Sequence, residues 1–154
     1  MLFSETLLPF RVSLWMDARL LPIFVKGREL RDLLEKARGL PNPRWQKKLG
    51  LEEIIASTKQ VSSRPWLMRK QRCLREGLLA FHYLSCAGYQ PKIHFGVLPK
   101  SFKSIKPDAH CWISLDDQVV LNPPEPDTVE MFAFDGCNNI VNSPRSDLSV
   151  TGHE

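Results

Sequence analysis

No stretch of this 154-residue sequence stays apolar for the roughly 18 residues that a membrane-spanning helix needs. The apolar-rich opening from Met1 to Val25 is broken by Glu5, Arg11, Asp17 and Arg19, so it reads as helix or strand packed onto the body. Its basic residues follow the first apolar stretch instead of preceding it, which does not fit a secretory leader. The four cysteines, Cys73, Cys86, Cys111 and Cys137, contain no Cys-x-x-Cys pair, and no histidine stands at zinc-ligand spacing. Reduced thiols in a cytoplasmic setting, with no metal and no organic cofactor, are therefore expected. A strong charge imbalance is also missing. Lys and Arg number 21 against 17 Asp and Glu, giving a net charge of +4, and they are scattered, so nucleic-acid binding is not indicated.

What is present is the composition of an ordinary globular domain, 43% apolar and 25% charged. The length suits one compact unit. The chain divides into an N-terminal helical region over 1–62, a core over 63–137 and a flexible polar tail over 138–154. Pro9 and Pro22 predict short elements with turns between them in the first 25 residues. Leu30, Leu33, Leu34 and Ala37 trace one face of a helix stopped by Gly39 and Pro41, and Leu51, Ile54, Ile55 and Thr58 trace a second. Pro41 to Trp45 and Trp66 to Arg72 read as loops. A third helix runs from about Cys73 to Ala87, with Gly88 as a left-handed stop. Gly77 inside it leaves room for another segment. Lys92 to Leu98 alternates as a strand, Pro99 to Pro107 is a polar loop, and Ala109 to Leu121 is a β-hairpin turning near Asp116 to Gln118. Met131 to Phe134 is a last strand or short helix. The fold class is α+β.

Chemistry concentrates between Cys73 and Asn122. Cys73 opens the third helix, where unpaired N–H groups and a partial positive charge favour a thiolate. His110 lies on the first hairpin strand and Asn122 ends the second. A cysteine, a histidine and an amide in that order are the parts of a thiol hydrolase. Hairpin parity sets a condition on this trio. A three-residue loop places Trp112 across from Asn122 and His110 on the same face, whereas a two-residue loop pairs Cys111 with Asn122 and turns Asn122 away unless a bulge intervenes. Trp112 shares the face of His110 and is a candidate wall of the cleft.

Cys73-Leu74-Arg75 opening a helix, Gly88 closing it, a strand ending Phe95-Gly96-Val97, and Ala109-His110-Cys111-Trp112 before a hairpin together resemble the transglutaminase-like leader peptidases of lasso-peptide biosynthesis. Those proteins carry a Cys-Leu pair, an Ile-Gly-Val strand and Ala-His-Ala-Trp-Val. The likeness covers residues 50 to 125 and implies a transglutaminase-like, papain-like fold: N-terminal helices, and a nucleophile helix packed on a small antiparallel sheet. It assigns Cys73 as nucleophile and His110 as base. The family's usual acid falls on Asn122, an amide that can still orient an imidazole, with Asp116 or Asp117 as substitutes. Oxyanion donors are the Cys73 N–H and the Gln71 side chain. The implied substrate is the leader segment of a ribosomally made precursor peptide, with a leader-recognition protein and an ATP-dependent cyclase as partners.

Plainer roles suit the other residues. Cys86, Cys111 and Cys137 read as small core side chains, and His82, His94 and His153 as surface or satisfied core. Arg72 and Arg75 read as ordinary cations. Two rival functions stand beside the peptidase: a catalytically inactive module that binds a peptide or partner, and an acyltransferase or amidase on the same scaffold.

Overall fold

The computed structural model describes residues 9–41, 49–63, 71–99 and 109–136, together with the backbone of 140–142. Among these lie four helices, α1 (Phe10–Val25), α2 (Leu30–Ala37), α3 (Leu51–Ser62) and α4 (Arg72–Cys86). Five strands follow: β1 (Lys92–Val97), β2 (Ala109–Leu115), β3 (Gln118–Leu121), β4 (Val129–Asp135) and β5 (Ile140–Asn142). The strands form one antiparallel sheet in the order β3-β2-β1-β4-β5. The loops expected at Pro41–Trp45, at Trp66–Arg72 and at Pro99–Pro107 fall largely outside the described residues, as do Cys137 and His153. No helix among the described residues is long and apolar enough to cross a membrane.

The organising element is α4. Every residue from Arg75 to Cys86 is buried, as a helix must be when it has a sheet on one side and other helices on the rest. Ile93, Ile113, Leu121 and Phe134 from the sheet join Leu78, Leu79, Phe81, Tyr83 and Leu84 of α4, while α1 adds Phe10, Leu14, Ala18 and Leu21. The helix ends as its sequence predicts. Gly88 takes φ +90, and the N–H groups of Gly88 and Tyr89 close on the carbonyls of Ser85 and Leu84, both at 3.0 Å. Gly77 faces the sheet, where a Cβ would stand 2.9 Å from Cys111 Sγ and 3.2 Å from Ile93 Cδ1. The missing side chain is what lets β2 and β1 lie so close beneath the first turns of α4.

Two expectations are revised. Within the opening segment, Phe10–Val25 is a single helix of 16 residues that runs through Pro22 without a turn, while residues 1–8 lie outside the described residues. Proline removes the N–H that would bond the carbonyl four residues back, which here belongs to Ala18. The buried guanidinium of Arg75 supplies the replacement, donating from Nη2 to Ala18 O at 2.6 Å. A tertiary contact thus carries the helix through a residue that locally breaks it, and Arg75 is structural. The stretch expected as a flexible tail contains β5, whose backbone extends the sheet at the edge of β4, because an open strand edge offers unpaired N–H and C=O groups.

The Pro22–Arg75 arrangement makes a coupled prediction. Arg75→Met leaves the Ala18 carbonyl buried without a donor and costs about 1–3 kcal/mol. In a Pro22→Ala background residue 22 regains its N–H, so the same substitution costs less by about 1 kcal/mol. Urea denaturation of the two single variants and the double variant measures the coupling, and strictly additive losses would refute it.

Candidate active site

Cys73 is the second residue of α4, where the first-turn N–H groups have no intrahelical partner. It is half-buried. Its Sγ lies 4.0 Å from the carbonyl of Ala109, on the strand that also carries Cys111 and His110. The sulfur's midpoint falls from the ordinary 9.0 to about 5. The largest cause is a hydrogen bond from the Cys111 thiol; burial opposes it, and the backbone N–H of Cys111, the charge of His110 and the backbone N–H of Leu74 add to it. Cys111 moves the other way, pushed well up by that same bond and by burial. The more exposed sulfur holds the negative charge, and the buried one keeps its proton and donates.

His110 reaches the same place from β2. It lines an open cleft of about 500 Å³ together with Cys73, Asn122, Lys59, Arg72, Glu76 and Pro123. The Nε2 of His110 lies 3.0 Å from the backbone carbonyl of Asn122. A carbonyl only accepts, so Nε2 carries a hydrogen, and Nδ1 is the ring nitrogen left to exchange a proton with other groups. The structure thus brings Cys73, His110 and Asn122 to one cleft. Among the described residues the hydrogen-bond contacts of Cys73 are with Ala109, Cys111 and the Leu74 N–H, and His110 acts on it through charge. Long nucleophile–base distances are common before substrate closes a site.

The hairpin explains how Asn122 arrives. Its turn has two residues, Asp116 and Asp117, both with positive φ (48 and 62) as a tight turn of this twist requires. Such a turn would set Asn122 across from Cys111. The register, however, pairs Ser114 with Val119 and Ile113 with Leu121, leaving Val120 as the extra residue of a bulge. One pair further on, Asn122 stands across from Trp112, on the face of His110. Asn122 then adopts φ +53, a left-handed conformation that asparagine tolerates better than most residues.

Four site expectations change in detail. The main-chain oxygen of Asn122, not its side chain, holds His110, and the side-chain Nδ2 is buried with no hydrogen-bond partner. The left-handed backbone aims the carbonyl at the imidazole. Asp116 and Asp117 cannot substitute, because they sit six or more residues along the strand, roughly 20 Å away, and Asp117 is bonded to Lys92 Nζ at 2.9 Å. Trp112 is 5% exposed and stacks behind His110 instead of lining the cleft. Gln71 precedes α4, exposed, and is not among the cleft-lining residues.

Cys111, Glu76 and Lys59 were not singled out as site residues by sequence reasoning. Glu76 has a side chain 4% exposed and accepts from Arg72 Nε at 2.8 Å. Its position three residues after Cys73 was the available signal, since that spacing shares a helix face. For Cys111 the signal was a cysteine where the resembling proteins carry alanine. Cys86 and His82 form a contrasting pair near the other end of α4, with Sγ to Nε2 at 3.5 Å. There burial dominates, holding His82 down to about 4 and pushing Cys86 up to about 12. Both are neutral near pH 7 and chemically quiet.

The sequence profile of the transglutaminase-like superfamily matches residues 7–133. The chain belongs to that superfamily. Its members include cysteine peptidases and acyltransferases, and its α+β fold is the one seen here. Comparisons with curated proteins and with solved structures return no match.

The lowered midpoint has a direct readout. Cys73 is expected as thiolate from about pH 5 upward, so its alkylation by iodoacetamide rises through about pH 5 and is flat at neutrality, while Cys86 stays unreactive. In Cys111→Ala the loss of the S–H donor shifts the Cys73 curve upward by about one unit or more. Peptide-resolved mass spectrometry across pH checks both, and an unmoved curve in Cys111→Ala removes that cysteine from the site.

Proposed function

We propose that this protein is a cysteine peptidase that removes the leader segment from a ribosomally made precursor peptide. The observation that carries the reading is the shared cleft of Cys73 and His110, with the sulfur's midpoint lowered to about 5 beside an imidazole whose Nδ1 is left free. Superfamily membership supports thiol-based acyl chemistry, and the lasso-type pattern of residues 50 to 125 supports the leader peptide as substrate. A leader-recognition protein would present the precursor, an ATP-dependent cyclase would take the released core, and the cytoplasm is the setting.

In the proposed reaction the Cys73 thiolate attacks the carbonyl carbon of the scissile peptide bond. The developing oxyanion is met by N–H groups of the first turn of α4, including that of Cys73 itself. His110, which has taken the Cys73 thiol proton on Nδ1, gives it to the departing amine, leaving a thioester on Cys73. Water then attacks the thioester, losing its proton to Nδ1, and the carboxylate product departs as the sulfur returns to thiolate. Throughout, the Nε2–H bond to the Asn122 carbonyl holds the ring and stabilises its charged form. An amine in place of water would give acyl transfer by the same steps.

Co-expression with the precursor tests this. The wild type should yield leader and core differing from the precursor by one water, whereas Cys73→Ala and His110→Ala should lose turnover by about a thousandfold or more. Mass spectrometry reads both. A product joined to an amine would replace hydrolysis with transfer, and a product independent of Cys73 would end both enzymatic readings.

A further inference from the structure

We propose that His94 is a positioning residue for His110, acting through Trp112: three rings stacked across the outer face of the sheet hold the imidazole at the cleft. The inference rests on the reading of Cys73 and His110 above and concerns how that imidazole is held, not what it acts on. Cys111 and Ile113 point toward α4, so His110, Trp112 and Ser114 point to the opposite face by strand alternation. There β1 sets His94 across from Trp112 and Gly96 across from His110.

The rings are close to parallel. His94 lies on Trp112 with centroids 5.2 Å apart and planes 4° apart, and Trp112 lies against His110 at 6.2 Å and 20°. Gly96 makes room for the indole, since a Cβ there would stand 3.0 Å from Trp112 Cζ3. His94 is itself tethered. Its Nε2 lies 2.7 Å from Ser114 Oγ, and its Nδ1 stands 3.3 Å from Glu130 Oε2, an ion-pair distance off the line of a hydrogen bond. Ser114 is 3% exposed, out of reach of a substrate, so its bond serves to fix the ring.

A single hydrogen bond cannot fix an imidazole. The Nε2–H bond to Asn122 leaves the ring free to rock about that axis, and rocking would sweep Nδ1 away from the cleft. A flat aromatic surface against one face removes that freedom, provided the surface is itself held. Trp112 is held by the stacked ring of His94, which is bonded to β2 through Ser114 Oγ and has Glu130 of β4 3.3 Å from its Nδ1.

The test uses the full chain and no peptide substrate. Nitrogen-15 spectra of histidine-labelled protein report the His110 tautomer, and iodoacetamide reaction at about pH 5, near the Cys73 midpoint, reports the sulfur. His94→Ala removes the ring; the expected result is loss of the Nε2–H preference at His110 and Cys73 alkylation slower by about two- to fivefold. His94→Leu, which keeps apolar bulk without a flat ring, should lose as much and carries the test if His94→Ala does not fold. His94→Phe restores a ring without its tether and should fall between these and wild type. Unchanged His110 spectra and alkylation in the ring-less variants would overturn the proposal, as would a folded His94→Phe as impaired as they are. A failed precursor-cleavage assay bears on the peptidase reading and leaves these measurements unaffected.

Discussion

The cleft depends on one extra residue in one strand. A tight two-residue turn fixes the start of β3 against β2, and in an uninterrupted ladder that register would carry Asn122 to the wrong face of the hairpin. Val120 breaks the ladder, restores the parity, and lets the Asn122 carbonyl meet His110 Nε2. The hydrogen-bonding partner of His110 is thus set by backbone geometry, and a main-chain oxygen cannot be removed by a side-chain substitution. That reframes the asparagine found where an acid is usual among the resembling proteins. The demand on residue 122 is a left-handed backbone, which asparagine meets, and His110 Nε2 bonds its carbonyl and not its side chain.

Two cysteines of one helix, each with a histidine nearby, show why proximity alone does not lower a thiol's midpoint. Cys86 and His82 are in direct contact, yet burial drives both toward their neutral forms. Cys73 is linked to His110 only through charge and a shared cleft, but it stands at the helix N-terminus and receives a hydrogen bond from a thiol that is itself too buried to ionise. A second buried cysteine therefore does for Cys73 what a cation does at other thiolate sites: it stabilises the charged form. Desolvation of one sulfur becomes stabilisation of the other.

Most of the fold was legible because its signals are local. The apolar spacing of Leu30 to Ala37 and Leu51 to Thr58, the alternation of Lys92 to Leu98, and Gly88 as a left-handed stop all act within a few residues. What could not be read depends on contacts distant in sequence. Pro22 reads as a breaker until the Arg75 guanidinium, 57 residues away from Ala18 in sequence, takes the orphaned carbonyl. The bulge at Val120 leaves no compositional mark, since valine suits a regular strand as well as an irregular one. The residue types of the cleft were visible at Cys73, His110 and Asn122; the atom that Asn122 uses was not, because a sequence names side chains and the bond is to the backbone.

The two faces of β2 divide the labour of the site. Toward α4, Cys111 sits in the notch left by Gly77 and supports the sulfur. Away from α4, Trp112 leans over the gap left by Gly96 and backs the imidazole. Each glycine is needed for the approach of a different partner, and the two partners are adjacent residues of one strand. A strand can serve both halves of a cysteine–histidine site only if it lies close under the helix on one side and carries a flat aromatic surface on the other. The short run His110-Cys111-Trp112 meets both conditions, which makes the strand as much a part of the cleft as the helix that carries the sulfur.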